Sequence, residues 1–163
     1  MSRAFVKEDG PDNAPLPDLP VSPHPNFVTP RGLRALQERL AARREDLARL
    51  RARGDRLDTL PERAAERDIR YLEERLRSAI VVDPASQPPD EVAFGARVRV
   101  VDEAGREQVF EITGEDEADA AQGRIAPHSP LAQALIGARR GDVVEWRRPA
   151  GTLSLEVVGI GYG

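Results

Sequence analysis

Cysteine is absent from this chain of 163 residues, and aromatic residues make up only 4% of it. Without cysteine the chain can form neither disulfides nor thiolate metal sites, which is typical of a cytoplasmic protein. No apolar run approaches the roughly 18 residues that a membrane span requires. The N-terminus has no basic start followed by an apolar block, so we expect no secretion signal. The two histidines, His24 and His128, fall in different segments, which argues against a metal site.

Charge is distributed unevenly along the chain. Residues 1–29 carry 2 basic and 4 acidic side chains, residues 30–82 carry 14 and 10, and residues 83–163 carry 8 and 14. A basic middle segment and an acidic end are expected to meet different surfaces of a partner, because long-range fields steer docking. The alternative is a solvated helix of mixed charge beside an ordinary acidic domain.

Residues 1–29 are predicted to form a flexible, proline-rich arm. Six prolines lie between Pro11 and Pro25. Each proline fixes its own backbone angle and pushes the preceding residue out of helical space, so this arm should be extended.

Residues 30–82 are predicted to form an antiparallel coiled-coil hairpin. Thr29 can cap the first helix, and Pro30 suits its first position. Two narrow apolar stripes at helical spacing are flanked by charged residues, the pattern of a coiled-coil seam. The first stripe contains Leu33, Leu36, Leu40, Leu47 and Leu50, and the second contains Ala65, Ile69, Leu72, Leu76 and Ala79. One long helix is the competing interpretation, but Gly54 and Pro61 favour a turn between two helices.

Residues 83–90 form a predicted proline-rich linker, and residues 91–163 form a predicted sheet-plus-helix domain. Strands are predicted around residues 98–100, 109–112, 123–126, 143–146 and 153–160. Ser129 and Pro130 are expected to cap and open a short helix that ends at Gly137. The fold class predicted for the whole chain is therefore α+β.

The ordered motifs of the second domain resemble those of the Gre family of bacterial transcription factors. They lie at residues 92–95, 112–119, 123–125, 129–132, 134–137 and 141–142, and residues 29–32 and 79–83 add to them. The resemblance covers residues 28–163. It implies an FK506-binding-protein-like (FKBP-like) fold for the second domain.

The resemblance also implies RNA polymerase core enzyme as the partner. In this family the second domain docks at the rim of the secondary channel, and the hairpin enters the channel to regulate elongation. The chain is then no enzyme by itself. The basic hairpin is expected to make at most indirect contact with nascent RNA. Independent DNA recognition is not expected, because the hairpin has almost no stacking aromatic beyond Tyr71.

The predicted hairpin tip departs from the family pattern. Relatives that rescue stalled polymerase carry Gly-Asp-Leu followed by Glu-Asn and an acidic-aromatic pair. Here Gly54 and Asp55 are followed by Arg56, Leu57 and Asp58. Each arm of the hairpin is also about one heptad shorter, which removes roughly 10 Å of reach. In this respect the chain resembles the short-hairpin relative Rnk, although its arms are longer than those of Rnk.

Carboxylates at the tip of family members help to hold a second catalytic Mg²⁺ in the polymerase active site, where oxygen ligands suit the metal. Asp55, Asp58 and Glu62 are the only carboxylates here that match such a role. As alternatives, the two aspartates are ordinary turn residues and Glu62 completes a capping box with Thr59. We therefore expect weak cleavage stimulation or none, and no cofactor other than Mg²⁺ shared with the polymerase. Stimulated transcript cleavage through Asp55 and Asp58 is the alternative.

Five residues around the short helix of the second domain are the candidate polymerase contacts, since the loop that leads into this helix faces the polymerase rim in the family. They are Asp119, Ile125, Ser129, Pro130 and Leu131. A peptidyl-prolyl isomerase is the remaining alternative, because the predicted fold resembles isomerases. Such a pocket is lined by aromatics, and residues 91–163 contain only Phe94, Phe110, Trp146 and Tyr162. Fold alone does not decide function.

Overall fold

The computed structural model of the protein describes residues 14–53 and 58–163, so the predicted tip residue Asp55 lies outside the described residues. The chain divides into two compact units. The first comprises Met1–Pro23 and Leu36–Arg77, and the second comprises His24–Ala35 and Ser78–Gly163. Over the described part of the chain, no helix combines the length and the apolar character needed to cross a membrane.

Two long helices supply most of the first unit: α1 (Pro30–Arg51) and α2 (Leu60–Ser78). Two ion pairs join the helices: Arg44 contacts Glu73 and Arg51 contacts Glu66, each at 3.0 Å. The residue number thus rises along α1 while that of its partner on α2 falls. The two helices are therefore antiparallel. Because these side chains are largely exposed, each pair contributes only about 0–1 kcal/mol.

Leucines of the two predicted stripes form the buried seam of this unit. The buried apolar residues are Leu36, Leu40, Leu47, Ala65 and Leu72. Ile69 and Leu76 are half-buried, whereas Arg75, which the stripes did not include, is 1% exposed. The existence of two helices is confirmed, while the coiled-coil character of the seam stays a prediction.

The described part of the proline-rich arm is divided between the two units, with residues up to Pro23 in the first and residues from His24 in the second. Residues 14–19 lie against α2 in the first unit, where Arg70 contacts Asp18. Further along, Asn26 donates to Ser78 Oγ at 3.1 Å, and Val28 is 3% exposed. The division predicted at residues 29, 82 and 90, like the flexibility of the arm, stays a prediction.

The second unit contains a five-stranded sheet of order β5-β4-β3-β7-β6. Its strands are β3 (Arg97–Asp102), β4 (Glu107–Ile112), β5 (Arg124–Ile125), β6 (Val143–Arg148) and β7 (Gly151–Gly161). All neighbouring pairs are antiparallel except β4 and β5. The five predicted strands and the α+β class are confirmed, whereas the FKBP-like detail stays a prediction.

One short helix, α3 (Pro130–Leu135), packs on this sheet. Alternation along β3 and β4 sends one face inward, as the burial of Val98, Val100, Phe110 and Ile112 shows. Leu131 and Leu135, four positions apart on α3, complete the core from the other side.

A separate parallel pair joins the segments that flank the long helices. Strand β1 (Phe27–Val28) precedes α1 and pairs with β2 (Ile80–Val81), which follows α2. The register places Phe27 opposite Ile80. Thr29 then caps α1 as predicted, since its Oγ1 accepts from the Gly32 amide at 2.9 Å.

Asp102 closes the turn between β3 and β4. Its Oδ1 accepts from the amides of Ala104 and Arg106, both at 2.9 Å, and its Oδ2 accepts from Arg106 Nε at 3.1 Å. These bonds, chiefly that from the Arg106 amide, favour the ionised form and outweigh desolvation, so the pKa of Asp102 lies below its ordinary value.

The pKa of Asp102 is lower in the folded state than its ordinary value of 3.8. The ionised carboxylate therefore stabilises the fold fully at a pH above 3.8, and this stabilisation is lost as the pH falls through the folded-state pKa. Asp102→Asn is therefore expected to be less stable than wild type at pH 7. The difference in unfolding free energy between wild type and Asp102→Asn should narrow as the pH falls from about 5 toward 2. Urea unfolding at several pH values measures it, and a gap that stays constant with pH would contradict the assignment.

Candidate functional site

The five predicted partner contacts lie on one continuous stretch that leads into α3. Asp119 caps a single 3-10 turn (Ala120–Gln122), with its Oδ1 accepting from the Ala121 amide at 3.1 Å. Asp119 and Arg124 also exchange backbone hydrogen bonds of 2.9 and 3.0 Å. The Asp119 carboxylate is thus held where the chain enters β5, and it is partly exposed.

Ile125 belongs to β5 and pairs with Ile112 of β4. Its side chain is partly buried and packs against the core of the sheet. Ile125 therefore anchors the loop that follows, and only part of its surface is accessible.

Ser129 is the N-cap of α3, as predicted. Its Oγ accepts from the Ala132 amide at 3.4 Å and donates to the Ala126 carbonyl at 2.7 Å. The two bonds fix the loop before the helix and leave the Pro130 ring exposed at the first helical position.

Leu131 differs from the other four candidates, because it is only 3% exposed and belongs to the core. Its side chain is not available to a partner in this conformation. The helical period explains the difference: a residue next to the exposed Pro130 is turned by about 100° toward the sheet.

The loop before α3 also brings the two histidines together, although the sequence had placed them in different segments. The rings of His24 and His128 stack at 4.0 Å between centroids, 17° from parallel. His128 Nδ1 lies 3.2 Å from Glu115 Oε1. The stack joins the start of the second unit to the candidate site, and no periodicity or spacing in the sequence signals it.

Glu117 is a second residue that sequence reasoning missed. Its Oε1 accepts from Thr29 Oγ1 at 2.7 Å, and its Oε2 lies 2.5 Å from Arg31 Nε. Arg31 also reaches Glu111 at 2.6 Å. The pKa of Arg31 is raised, first by the hydrogen bond to Glu117. The only sequence signal was that residues 29–32 and 112–119 both carry family motifs.

The described acids of the predicted tip are already engaged. Asp58 is exposed, and its Oδ1 accepts from the Leu60 amide at 3.0 Å at the start of α2. Glu62 is 4% exposed and sits on the buried side of α2. Among residues 14–53 and 58–163, no three His, Asp or Glu side chains are grouped closely enough to hold a metal ion.

The C-terminal region, residues 87–162, matches the model of a known family, "Transcription elongation factor, GreA/GreB, C-term". Transcription elongation factor GreB of Neisseria meningitidis serogroup B is 37% identical over 153 residues, which cover 84% of this chain and 94% of the relative. The chain belongs to the GreA/GreB family. Transcription elongation factor GreA of Brucella anthropi is 36% identical over 151 residues, covering 83% and 96% of the two chains.

Two solved structures are also similar to this GreA/GreB family member. Gfh1 of Thermus thermophilus is 24% identical and gives a TM-score of 0.41, with 85% of this chain and 99% of that chain covered. The GreA/GreB factor of Nitrosomonas europaea is 24% identical with a TM-score of 0.43, covering 84% and 99%. Family membership rests on the sequence matches and not on these structures.

Proposed function

We propose that this GreA/GreB family member binds RNA polymerase core enzyme near the secondary channel and regulates elongation without strongly stimulating transcript cleavage. Family membership supports the elongation-factor part of the proposal. The finer part rests chiefly on one observation: of the two described tip acids, Asp58 accepts a hydrogen bond from the first amide of α2, and Glu62 lies on the buried face of the same helix.

Docking is assigned to the exposed part of the stretch that leads into α3. Pro130 offers an apolar ring, and Asp119 offers a carboxylate fixed by the adjacent turn. A rigid apolar group beside a fixed charge suits a protein surface, because little side-chain entropy is lost on binding. The helices α1 and α2 would enter the channel, and an FKBP-like domain would remain at the rim.

Reach is the second support for a non-catalytic role. At about 1.5 Å per residue, α1 with its 22 residues extends about 33 Å. A carboxylate must come within about 2.1 Å of Mg²⁺ to act as a ligand, so a shortfall of a few Å removes direct coordination. No metal of its own is proposed for this protein, and no catalysis by the protein alone.

A competition experiment tests the proposal. The chain is expected to displace a labelled long-hairpin Gre factor from core polymerase, and to leave transcript cleavage in backtracked complexes close to the factor-free rate. Asp58→Ala should change neither result by more than about twofold, because the Asp58 carboxylate is held by the Leu60 amide. Pro130→Asp should weaken the competition at least tenfold, or about 1.4 kcal/mol.

Two outcomes would contradict this function. Strong cleavage by the wild-type chain that is lost in Asp58→Ala would make the protein a rescue factor that uses tip carboxylates. No competition at any concentration would remove the polymerase as partner. Isomerase activity is a weaker alternative, because it needs a pocket lined by aromatic side chains and the aromatics here contact other groups of the same unit. Phe110 and Trp146 pack edge-to-face at 6.1 Å between ring centroids, and Tyr162 hydrogen-bonds to the backbone of Glu91 and Ala93.

A further inference from the structure

Residues 14–19, here called the strap, accept hydrogen bonds from two arginines of α2, Arg63 and Arg70. Several arginines of the helices pair with acids on the same pair of helices: Arg43 with Asp68, Arg44 with Glu73, Arg51 with Glu66, and Arg77 with Glu74. Over the described residues, Arg63 and Arg70 instead donate hydrogen bonds to the strap. For Arg63 and Arg70 the strap thus supplies acceptors of the kind that helix acids supply to the other arginines.

The strap's contacts follow a regular alternation. Arg63 Nη1 donates to the Ala14 carbonyl at 3.1 Å, and Arg70 donates to the Leu16 carbonyl at 2.8 Å and to Asp18 Oδ1 at 2.6 Å. The two residues between these contacts are Pro15 and Pro17. Proline keeps the strap extended and adds no N–H that would have to be satisfied, so the carbonyls remain free to accept from the arginines.

The spacing of the two partners agrees with this arrangement. Arg63 and Arg70 are seven positions apart, which is two helical turns or about 10.5 Å along one face of α2. The four residue steps from Ala14 to Asp18 span about 12 Å in an extended proline-rich chain. The strap thus runs along the helix with its acceptors in step with the arginines, while Leu16 and Leu19 are half-buried.

The strap is held by contacts that a better ligand can replace. The side chain of Asp18 is 76% exposed and that of Arg70 is 38% exposed, so their ion pair is screened by water and salt. Arg63 Nε is buried and has no hydrogen-bond partner among the described residues. Arg63 and Arg70 form what is here called the arginine face of α2. The strap therefore leaves one donor of this arginine face without an acceptor among the described residues.

We propose that the strap is a built-in competitor, which covers the arginine face of α2 and must leave it before the helices engage RNA polymerase. This inference rests on the function proposed above. Release of the strap frees two guanidinium groups on the part of the molecule that would enter the channel. The strap thereby lowers the affinity of the resting protein and makes its docking dependent on strap displacement.

Charge reversal at Asp18 tests the proposal in the full chain. Asp18→Arg places a cation against Arg70 and should release the strap, which the methyl resonances of Leu16 and Leu19 report. We expect Asp18→Arg to bind core polymerase three- to tenfold more tightly than wild type. The double variant Asp18→Arg/Arg70→Asp restores the pair with reversed signs and should return the affinity and the resonances toward wild type.

Glu103→Arg is the matched control, because it makes the same charge change at an exposed turn of the second unit. It should bind within twofold of wild type. Release of the strap without tighter binding would overturn the proposal while leaving the polymerase function intact. Unchanged methyl resonances in Asp18→Arg, or an equal gain in Glu103→Arg, would overturn it as well. If neither wild type nor Asp18→Arg binds polymerase, the proposed function itself fails.

Discussion

Leu131→Asp is expected to lower the free energy of unfolding of the second unit by about 4 kcal/mol or more. Truncating a buried leucine alone costs about 2–5 kcal/mol, and a carboxylate placed in an apolar core adds a desolvation penalty. Leu131 is 3% exposed and lies in the core with Ile112 and Leu135. Urea unfolding followed by fluorescence of Trp146, the single tryptophan, measures the loss within this unit.

Pro130→Asp is the matched control for this substitution. It introduces the same side chain one residue earlier, at the exposed first position of α3. An aspartate there is compatible with the first turn of a helix, so the stability should change by less than about 1 kcal/mol. Pro130→Asp therefore tests the polymerase surface in a folded protein, whereas a charged Leu131 tests the core. Equal destabilisation by both would contradict the separation of surface and core on α3.

Gly123→Ala is expected to cost roughly 2–4 kcal/mol, because two penalties coincide at this position. Gly123 has φ +73°, which L-residues avoid, and an added Cβ would lie 2.5 Å from the Val109 carbonyl oxygen. The Gly123 carbonyl also accepts from the Glu111 amide at 2.8 Å, just where β5 joins β4. A backbone shift here would displace β5 and with it Ile125 of the candidate site. Thermal or urea unfolding gives the stability change.

Gly105→Ala separates the two penalties at Gly123. Gly105 has φ +79°, but an added Cβ meets no atom within 4 Å. Only the conformational cost of about 1–2 kcal/mol is then expected. If Gly123→Ala and Gly105→Ala lower the free energy of unfolding equally, the clash with the Val109 carbonyl oxygen has no energetic cost and this prediction is wrong.

Local signals in the sequence predicted the elements well. Ser129 and Pro130 indicated the start of α3 because capping and a missing N–H are properties of single residues. The alternation of Val98 and Val100 indicated β3, because residues two positions apart lie on the same face of a strand. Leu131 shows the limit of a motif, since the motif at residues 129–132 does not reveal that helical geometry turns this side chain into the core. Its role as a polymerase contact stays a prediction.

Contacts between distant segments were beyond prediction from one sequence. Nothing about Glu117 specifies that it will bind Thr29 and Arg31, because any acid on the chain has the same charge. The absence of helix in the strap did follow from its prolines. Its location along α2 did not, since a hydrogen bond to a carbonyl leaves no trace in side-chain identity.

The parallel pairing of β1 with β2 has a consequence for how the length of α1 and α2 can evolve. The segment between these strands leaves and returns at neighbouring positions, and three backbone or side-chain bonds close it: Ile80 to Asn26, Val82 to Val28, and Asn26 to Ser78. An insertion or deletion of matched turns in both helices leaves this closure untouched. The length of α1 and α2 can therefore change in evolution by matched insertions or deletions while the sequences of β1 and β2 stay the same.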